Sequence, residues 1–545
     1  MLKYANGGGG GQVGWCFRCF GSFWLFWLIA VLYGIVWTLL PFWLEPNFRY
    51  DVIEMFFIGK EGVIATFKHP ALNAILLEIV YQALGRNSIA PFLLAQLFFL
   101  ATAWSLWRLG REFLSPQNAL FGALAFYCYW GYFYKSLYYN HNIILMPAWG
   151  FVTLFAFQAL KYNRYRDWLR LGMAIGLGVY CKYTLLLLIV AILLFMFLNK
   201  PLRKYWLRPG PYLTLFVSLI IAAPLIDWMF QSDFSGLKFP STAYGLEKTL
   251  PNRFIAVCND ALISPPLLAI SFIVLLFPLF GFPIRFKNLD NQQRFVRNFL
   301  LGMIGFPWLF SAVSCFVTAT PLEFGSFIQL PIFVGLLLLV VFQTQQTRRA
   351  ICWVWLIFGL SMAGYLFGYT VHSYYSHYMN SRQIFYMYPG RQLAEEAEKI
   401  WHEKYDKPLP YVTGGWWFAG NVAIYSADRP TYHGADHPSQ LSNCHFPISN
   451  WSTDQDVLKQ GGLVLWAAGQ GKQTLPELVR KRFPSAQLLQ NAIHLKPNNL
   501  HQIQPLYVGV AIIPPNDSLQ TEPFRPAPYR FYWNSVPVFF SAGTR

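Results

Sequence analysis

Charge is what this chain has least of. Only 12% of its 545 residues are Asp, Glu, Lys or Arg, where an ordinary soluble domain carries about 25%. That scarcity excludes a water-soluble globule of this size. Cysteine is sparse too. There are eight, and Cys128, Cys181, Cys315 and Cys352 sit inside apolar runs, so no disulfide framework is built from them. Cys16 and Cys19 form a C-x-x-C with no second pair and read as juxtamembrane thiols rather than a zinc site. The glycine run 7–11 precedes no G-K-[ST], so it is no phosphate loop, and neither G-x-S-x-G nor G-x-G-x-x-G occurs in the C-terminal tail. Aromatic residues, at 19%, exclude disorder. What remains is a polytopic membrane protein.

A membrane-spanning helix needs roughly 20 apolar residues. Candidate runs are 22–43, 89–107, 117–134, 142–160, 167–181, 183–198, 211–230, 261–284, 298–316, 322–342 and 350–370, about eleven in all. The first is too long for a signal peptide and lacks a small-residue cleavage site, so it is expected to stay as an anchor. A further run, 69–86, is interrupted by Glu78 and Gln82.

Placing the N-terminus in the cytoplasm, with 69–86 not crossing, assigns about 18 Lys and Arg to cytoplasmic loops and 9 to the opposite ones. The dense clusters then all fall on one side, as the positive-inside rule requires. The run 69–86 therefore reads as an amphipathic helix in the outer interface. An odd number of spans puts everything after about residue 370 outside the cytoplasm. The net charge of +17 is thus mostly topological and calls for no nucleic-acid partner.

From Val371 to Arg545 no further long apolar run occurs. Short β-rich stretches at 410–413, 462–467 and 506–513, with helix-like runs at 391–404 and 475–482, point to a soluble α/β domain. Two domains are expected, a transmembrane one over residues 1–370, with a first outer loop at 44–88, and an outer one over residues 371–545. His433, Asp436 and His437 read as a polar loop rather than a metal site.

Ionisable residues at membrane depth are costly and mark function by default. On the outer side they gather as Asp51, Glu54, Glu61, Lys68 and His69 in the first loop, Asn140 and His141 in the second, Lys182 between two runs, Arg253 in the 231–259 loop, and Glu323 at the start of the tenth run. Asp51 and Glu54 stand one helical turn apart and so share a face. A carboxylate there can take a proton from a hydroxyl nucleophile. Lys68, His69, Lys182 and Arg253 can neutralise a phosphate leaving group. These are the components for attack of an acceptor hydroxyl on a lipid-borne sugar phosphate.

The order of these features resembles the integral-membrane glycosyltransferases of the GT-C fold. It is similar in particular to the branch of aminoarabinose transferases, bacterial protein mannosyltransferases and lipopolysaccharide-core galacturonic-acid transferases. The residues that carry the resemblance are Asp51 and Glu54, then Lys68-His69-Pro70-Ala71-Leu72, where the family pattern has a second proline in place of Ala71. Asn140-His141-Asn142 through Trp149, Gly172 through Lys182-Tyr183, and Gly414-Gly415 through Asp428-Arg429-Pro430 resemble later segments of the same group.

The resemblance implies inverting transfer from a polyprenyl-phosphate sugar, with Asp51 as base and Lys182 as a donor-phosphate ligand. It implies a bacterial inner membrane, with the site and the tail facing the periplasm. It implies membrane lipids as surroundings and a glycolipid such as lipopolysaccharide or lipid A as acceptor. Protein O-glycosylation by the same fold and transport of lipid-linked sugars stand as alternatives. The lipid phosphate of the donor makes a nucleotide-binding loop unnecessary, and a divalent metal stays open. Some family members bind a divalent metal near the first-loop motif, for which Glu54, Glu61 and His69 are the candidate ligands.

Overall fold

The structure, a computed structural model, describes residues 11–237, 249, 264–318, 329–376, 378, 385–434, 451–469, 473–496 and 506–519. Of the expected site residues, Arg253 and Glu323 lie outside the described residues, as do Asp436 and His437.

Each of the eleven apolar runs overlaps a helix. In chain order the helices are α1 (Gly11–Leu44), α2 (Tyr50–Glu61), α3 (Leu72–Ala83), α4 (Ala90–Gly110), α5 (Pro116–Tyr127), α6 (Trp130–Ser136), α7 (His141–Tyr162), α8 (Tyr165–Gly178), α9 (Leu185–Leu198) and α10 (Pro209–Gln231). They continue with α11 (Ser264–Phe280), α12 (Asn291–Thr318), α13 (Val334–Val341) and α14 (Arg348–Ser376).

Among the described residues six helices are long and apolar enough to cross a bilayer, those in α1, α4, α7, α10, α12 and α14. The other runs fold as shorter helices. The run 117–134 breaks after Tyr127, and the hydroxyl of Tyr365 donates to the carbonyl of Cys128 at that break. A carbonyl released from a helix ladder in an apolar setting needs such a donor. Large apolar side chains stay exposed along α1 (Leu28, Leu32, Ile35), α10 (Phe216, Ile220) and α14 (Leu360, Phe367). Exposure on that scale suits a lipid surround rather than water. The chain is a polytopic helical membrane protein.

The tail folds as α/β structure. Strands β1 (Tyr411–Gly414), β2 (Thr431–His433), β3 (Gly462–Ala467), β4 (Gln487–Leu488), β5 (Ile493–Leu495) and β6 (Leu506–Ile513) form one six-stranded sheet. Its order is β2-β1-β3-β6-β4, with β5 also on β6. The β1 pairings with β2 and β3 are parallel, and β6 runs antiparallel to β3, β4 and β5.

Side chains alternate across a strand. Leu463 and Leu465 of β3, with Val508, Val510 and Ile512 of β6, therefore face one side, against α15 (Gly390–His402) and α16 (Trp416–Tyr425). Val464, Trp466, Ala511 and Ile513 face the other, against α17 (Asp454–Gln460) and α18 (Glu477–Arg482). Both faces are covered, which is why β3 and β6 read as continuous apolar runs.

The tail grips the connection between α1 and α4. Asn47 donates its backbone N–H to the Tyr386 carbonyl at 2.9 Å, and the Tyr425 hydroxyl accepts from the backbone N–H of Phe48 at 3.1 Å. Helix α16 packs on α2, with Gly420 against Ile53. On its other side α2 lies so close to α3 that a Cβ on Gly59 would collide with the carbonyl oxygen of Ala74. Helix α3 is the expected amphipathic segment. Its Glu78 is fully buried and pairs with Arg429 of the tail at 2.9 and 3.0 Å. Its polar face is thus turned to protein.

Candidate active site

Helix α2 starts at Tyr50 and places Asp51 in its first turn, half-buried, with Glu54 one turn on and 3% exposed. The next connection carries Lys68, His69 and Pro70. It is closed by an antiparallel bridge between Ala65 and Pro70 and by the Ala71 N–H donating to the Ile64 carbonyl at 2.8 Å. The Thr66 hydroxyl accepts from the N–H groups of Lys68 and His69, at 3.3 Å each, and holds the turn. Lys68 Nζ then reaches Glu54 at 3.0 and 3.2 Å, and the His69 ring lies against His141, with centroids 4.3 Å apart.

The connection between α6 and α7 closes on this one. Asn140 is the N-cap of α7, and its Oδ1 accepts from the N–H groups of Asn142 and Ile143. An asparagine suits that position because its side-chain oxygen satisfies helix donors that have no partner within the helix. Its other atom, Nδ2, donates to Asp51 Oδ2 at 2.9 Å. Lys182, in the turn between α8 and α9, donates to Asn142 Oδ1 at 2.9 Å and is 6% exposed. Of the expected site residues, Asp51, Glu54, Lys68, His69, Asn140, His141 and Lys182 are brought together.

The electrostatics follow from burial. Burial pushes the Glu54 carboxyl above its usual range, and the neighbouring Asp51 adds to this while Lys68 opposes it. Burial also pushes His69 well below the usual imidazole value, reinforced by His141, Lys182 and Lys68. His69 is therefore neutral at neutral pH. The cluster can accept a proton at Asp51 and offers two ammonium groups to an anion.

Other charges of the first loop have structural partners. Arg49 pairs with Glu45, whose Oε1 also accepts from the Tyr369 hydroxyl at 2.8 Å. The Arg49 guanidinium stands 4.1 Å over the Tyr138 ring. Two contacts escaped the sequence reading, the Asn142 partner of Lys182 and the Thr66 clamp. An amide or hydroxyl next to a charged motif was the available signal for both.

The residues do not fit a divalent metal at Glu54, Glu61 and His69. Both Glu54 oxygens face the Lys68 ammonium, and a cation there would meet that charge. Among the described residues, the ligand atoms within 4.8 Å of one another are those of Glu398, His402 and Asp428 in the tail. Those atoms serve the fold: Asp428 Oδ2 accepts from the Leu409 N–H and Glu398 Oε2 from the Ala427 N–H, both at 2.8 Å.

Fold and site together define a polytopic membrane protein with an acid–lysine cluster held between the α1–α4 connection and the start of α7. Residues 68–228 match the family model described as dolichyl-phosphate-mannose-protein mannosyltransferase. The match runs from Lys68 through Asn140 and Lys182 to α10, and it is that of a glycosyltransferase, in agreement with the resemblance read from the sequence. No curated protein matches the chain. The solved structures similar to it include two of one protein. One is ArnT from Cupriavidus metallidurans bound to undecaprenyl phosphate, 12% identical over 92% of this chain and 100% of that one, with a TM-score of 0.46. The other is the same protein in the apo state, 14% identical over 90% and 98% of the two chains, with a TM-score of 0.46.

Proposed function

We propose that this protein transfers a glycosyl group from a polyprenyl-phosphate sugar to an acceptor hydroxyl at the outer face of a bacterial inner membrane. The observation that carries the reading is the Asn140–Asp51 hydrogen bond of 2.9 Å, which ties the first-loop carboxylate to the segment bearing Asn142, the partner of Lys182. In this reading the tail from about residue 371 is a periplasmic domain.

Asp51 takes the proton of the acceptor hydroxyl, whose oxygen attacks the anomeric carbon from the side opposite the phosphate. The bond to the phosphate oxygen breaks with its electron pair, and polyprenyl phosphate leaves with inverted configuration at the sugar. Lys182 and Lys68 face the developing phosphate charge in a site of low dielectric, where such contacts count most. Asn140 keeps Asp51 in register, since its own rotamer is held by the α7 cap. Neutral His69 avoids adding a third desolvated cation.

A glycolipid is the acceptor class favoured here. The matching family's description names protein as acceptor, so both are assayed. The transport alternative draws support from broken helices. The one bent pair among the described residues, Leu198 to Lys200 with a bend of 106°, lies at the basic cluster of Lys200, Arg203 and Lys204 and outside the acidic site.

The test compares outer glycolipids by mass spectrometry in a deletion strain carrying wild type or Asp51→Asn at equal membrane levels. A sugar-sized mass restored by wild type alone supports the reading. Full restoration by Asp51→Asn removes Asp51 as base. An unchanged glycolipid profile with altered secreted glycoproteins moves the acceptor to protein.

A further inference from the structure

The tail carries a recess that no step above uses. Its volume is about 230 Å³, and Phe385, Tyr388, Trp417, Phe418, Ala468 and Tyr507 are among its walls. Trp417 and Phe418 come from α16, Ala468 follows β3, and Tyr507 lies on β6. Among the described residues, none that lines it is an acid, a lysine, an arginine or a histidine.

Position is the second observation. Tyr50, the residue before Asp51, has its ring 5.1 Å from Phe385 and lies nearly parallel to Trp417, at 6.2 Å and 9°. Both of those rings line the recess. The recess therefore borders the residue that precedes the carboxylate assigned as base.

We propose that this recess is an acceptor subsite for a neutral saccharide ring, seated so that a hydroxyl of the acceptor reaches Asp51. The proposal rests on the glycosyl-transfer reading and adds the class of group recognised. The described walls offer no charge that would compensate a donor phosphate or an acidic headgroup. The recess is built on the tail sheet and not on the membrane-spanning helices, so acyl chains anchored in the bilayer are poor occupants. Ring faces carry negative potential and favour the weakly positive C–H face of a sugar. The volume falls below the roughly 300 Å³ at which drug-sized pockets begin, so it suits a single ring.

The test fills the recess without touching the acid–lysine cluster. Ala468 contributes only its backbone N–H, to the Tyr507 carbonyl at 3.2 Å, so Ala468→Trp keeps that bond. Ala467→Trp, from the exposed neighbouring position, is the second filler. Full-length protein in nanodiscs is assayed for transfer with the host's acceptor glycolipid. The same protein is titrated by calorimetry with that glycolipid's delipidated neutral oligosaccharide and with a Tyr- and Ser-containing peptide.

The expected result is an acceptor KM raised by about tenfold or more in the fillers, with kcat and donor KM unchanged, and oligosaccharide heat lost in the same variants. Asp51→Asn should bind the oligosaccharide and not transfer. Transfer with unchanged acceptor KM in both fillers overturns the subsite and leaves the transferase reading standing. Oligosaccharide binding blocked by the fillers, without transfer by any variant, supports the subsite while the transferase reading falls. Binding of the peptide alone, or of neither probe, overturns the saccharide assignment.

Discussion

Two clusters in this molecule combine a carboxylate, a histidine and a side-chain cation, and their surroundings differ. In the tail, His433 Nε2 lies 2.7 Å from Asp454 Oδ1, and His433 Nδ1 lies 2.8 Å from the Ser452 hydroxyl. Arg482 Nε donates to Asp454 Oδ2 at 2.6 Å. Burial pushes Asp454 up, but hydrogen bonds from His433 and Arg482 outweigh it and bring the carboxyl down to about 2. In the outer-loop cluster the balance is reversed. Burial and Asp51 raise Glu54 despite Lys68, and burial lowers His69. The tail network satisfies its charges and holds β2 to α17 and α18. In the loop cluster desolvation outweighs the partners and moves both groups away from their ordinary values, as is common at reactive sites.

The widest separation between the two comes from removing each carboxylate. Asp51→Asn should lower transfer from a polyprenyl-phosphate sugar by about 10²–10⁴-fold, while Asp454→Asn leaves turnover unchanged. Equal losses would erase the contrast. Next in size is Lys182→Ala, expected to cost about 10²–10³-fold in kcat if it faces the leaving phosphate. An effect confined to thermal stability would make Lys182 a structural partner of Asn142.

The link between the two regions is tested at the buried Arg429–Glu78 pair. Arg429→Ala leaves a fully buried carboxylate without its guanidinium and should destabilise by about 3–5 kcal/mol, read by denaturant unfolding. Adding Glu78→Leu should recover much of that loss. A neutral Arg429→Ala would mean that the tail does not hold α3.

The smallest effect concerns acid. The native Asp454 pKa, about 2, lies below the ordinary aspartate value of 3.8. Its contribution to stability is therefore present above about pH 4 and is lost as the pH falls toward about 2. Tryptophan fluorescence of the tail, which contains Trp466, should show acid loosening over that window in wild type and a flatter profile in Asp454→Asn.

Much of this arrangement was legible before folding. The strands at 462–467 and 506–513 and the helix starting at about 390 depend on local pattern and were found close to their expected bounds, and every apolar run overlaps a helix, five of them as shorter helices than expected. Seven of the outer-side candidates proved to be neighbours. Their pairings were not legible. Lys68, read as a phosphate ligand, also carries Glu54 as a direct partner, and the metal set dissolves for the same reason. The aromatic recess was hidden altogether, because Phe385, Trp417 and Tyr507 are scattered over more than a hundred positions with no common motif.

The sequence by itself determined the solvent of this protein and the elements it makes, since hydrophobic runs and side-chain periodicity act over a few turns of chain. Only the tertiary structure decided which charges meet. Asp51 and Asn140 stand 89 positions apart in sequence and 2.9 Å apart in space. Arg49 has the right charge for a phosphate ligand yet is paired with Glu45 and Tyr138. The reason is that a charge's role depends on its desolvation and on its nearest partner, and both are set by contacts between distant segments of the chain.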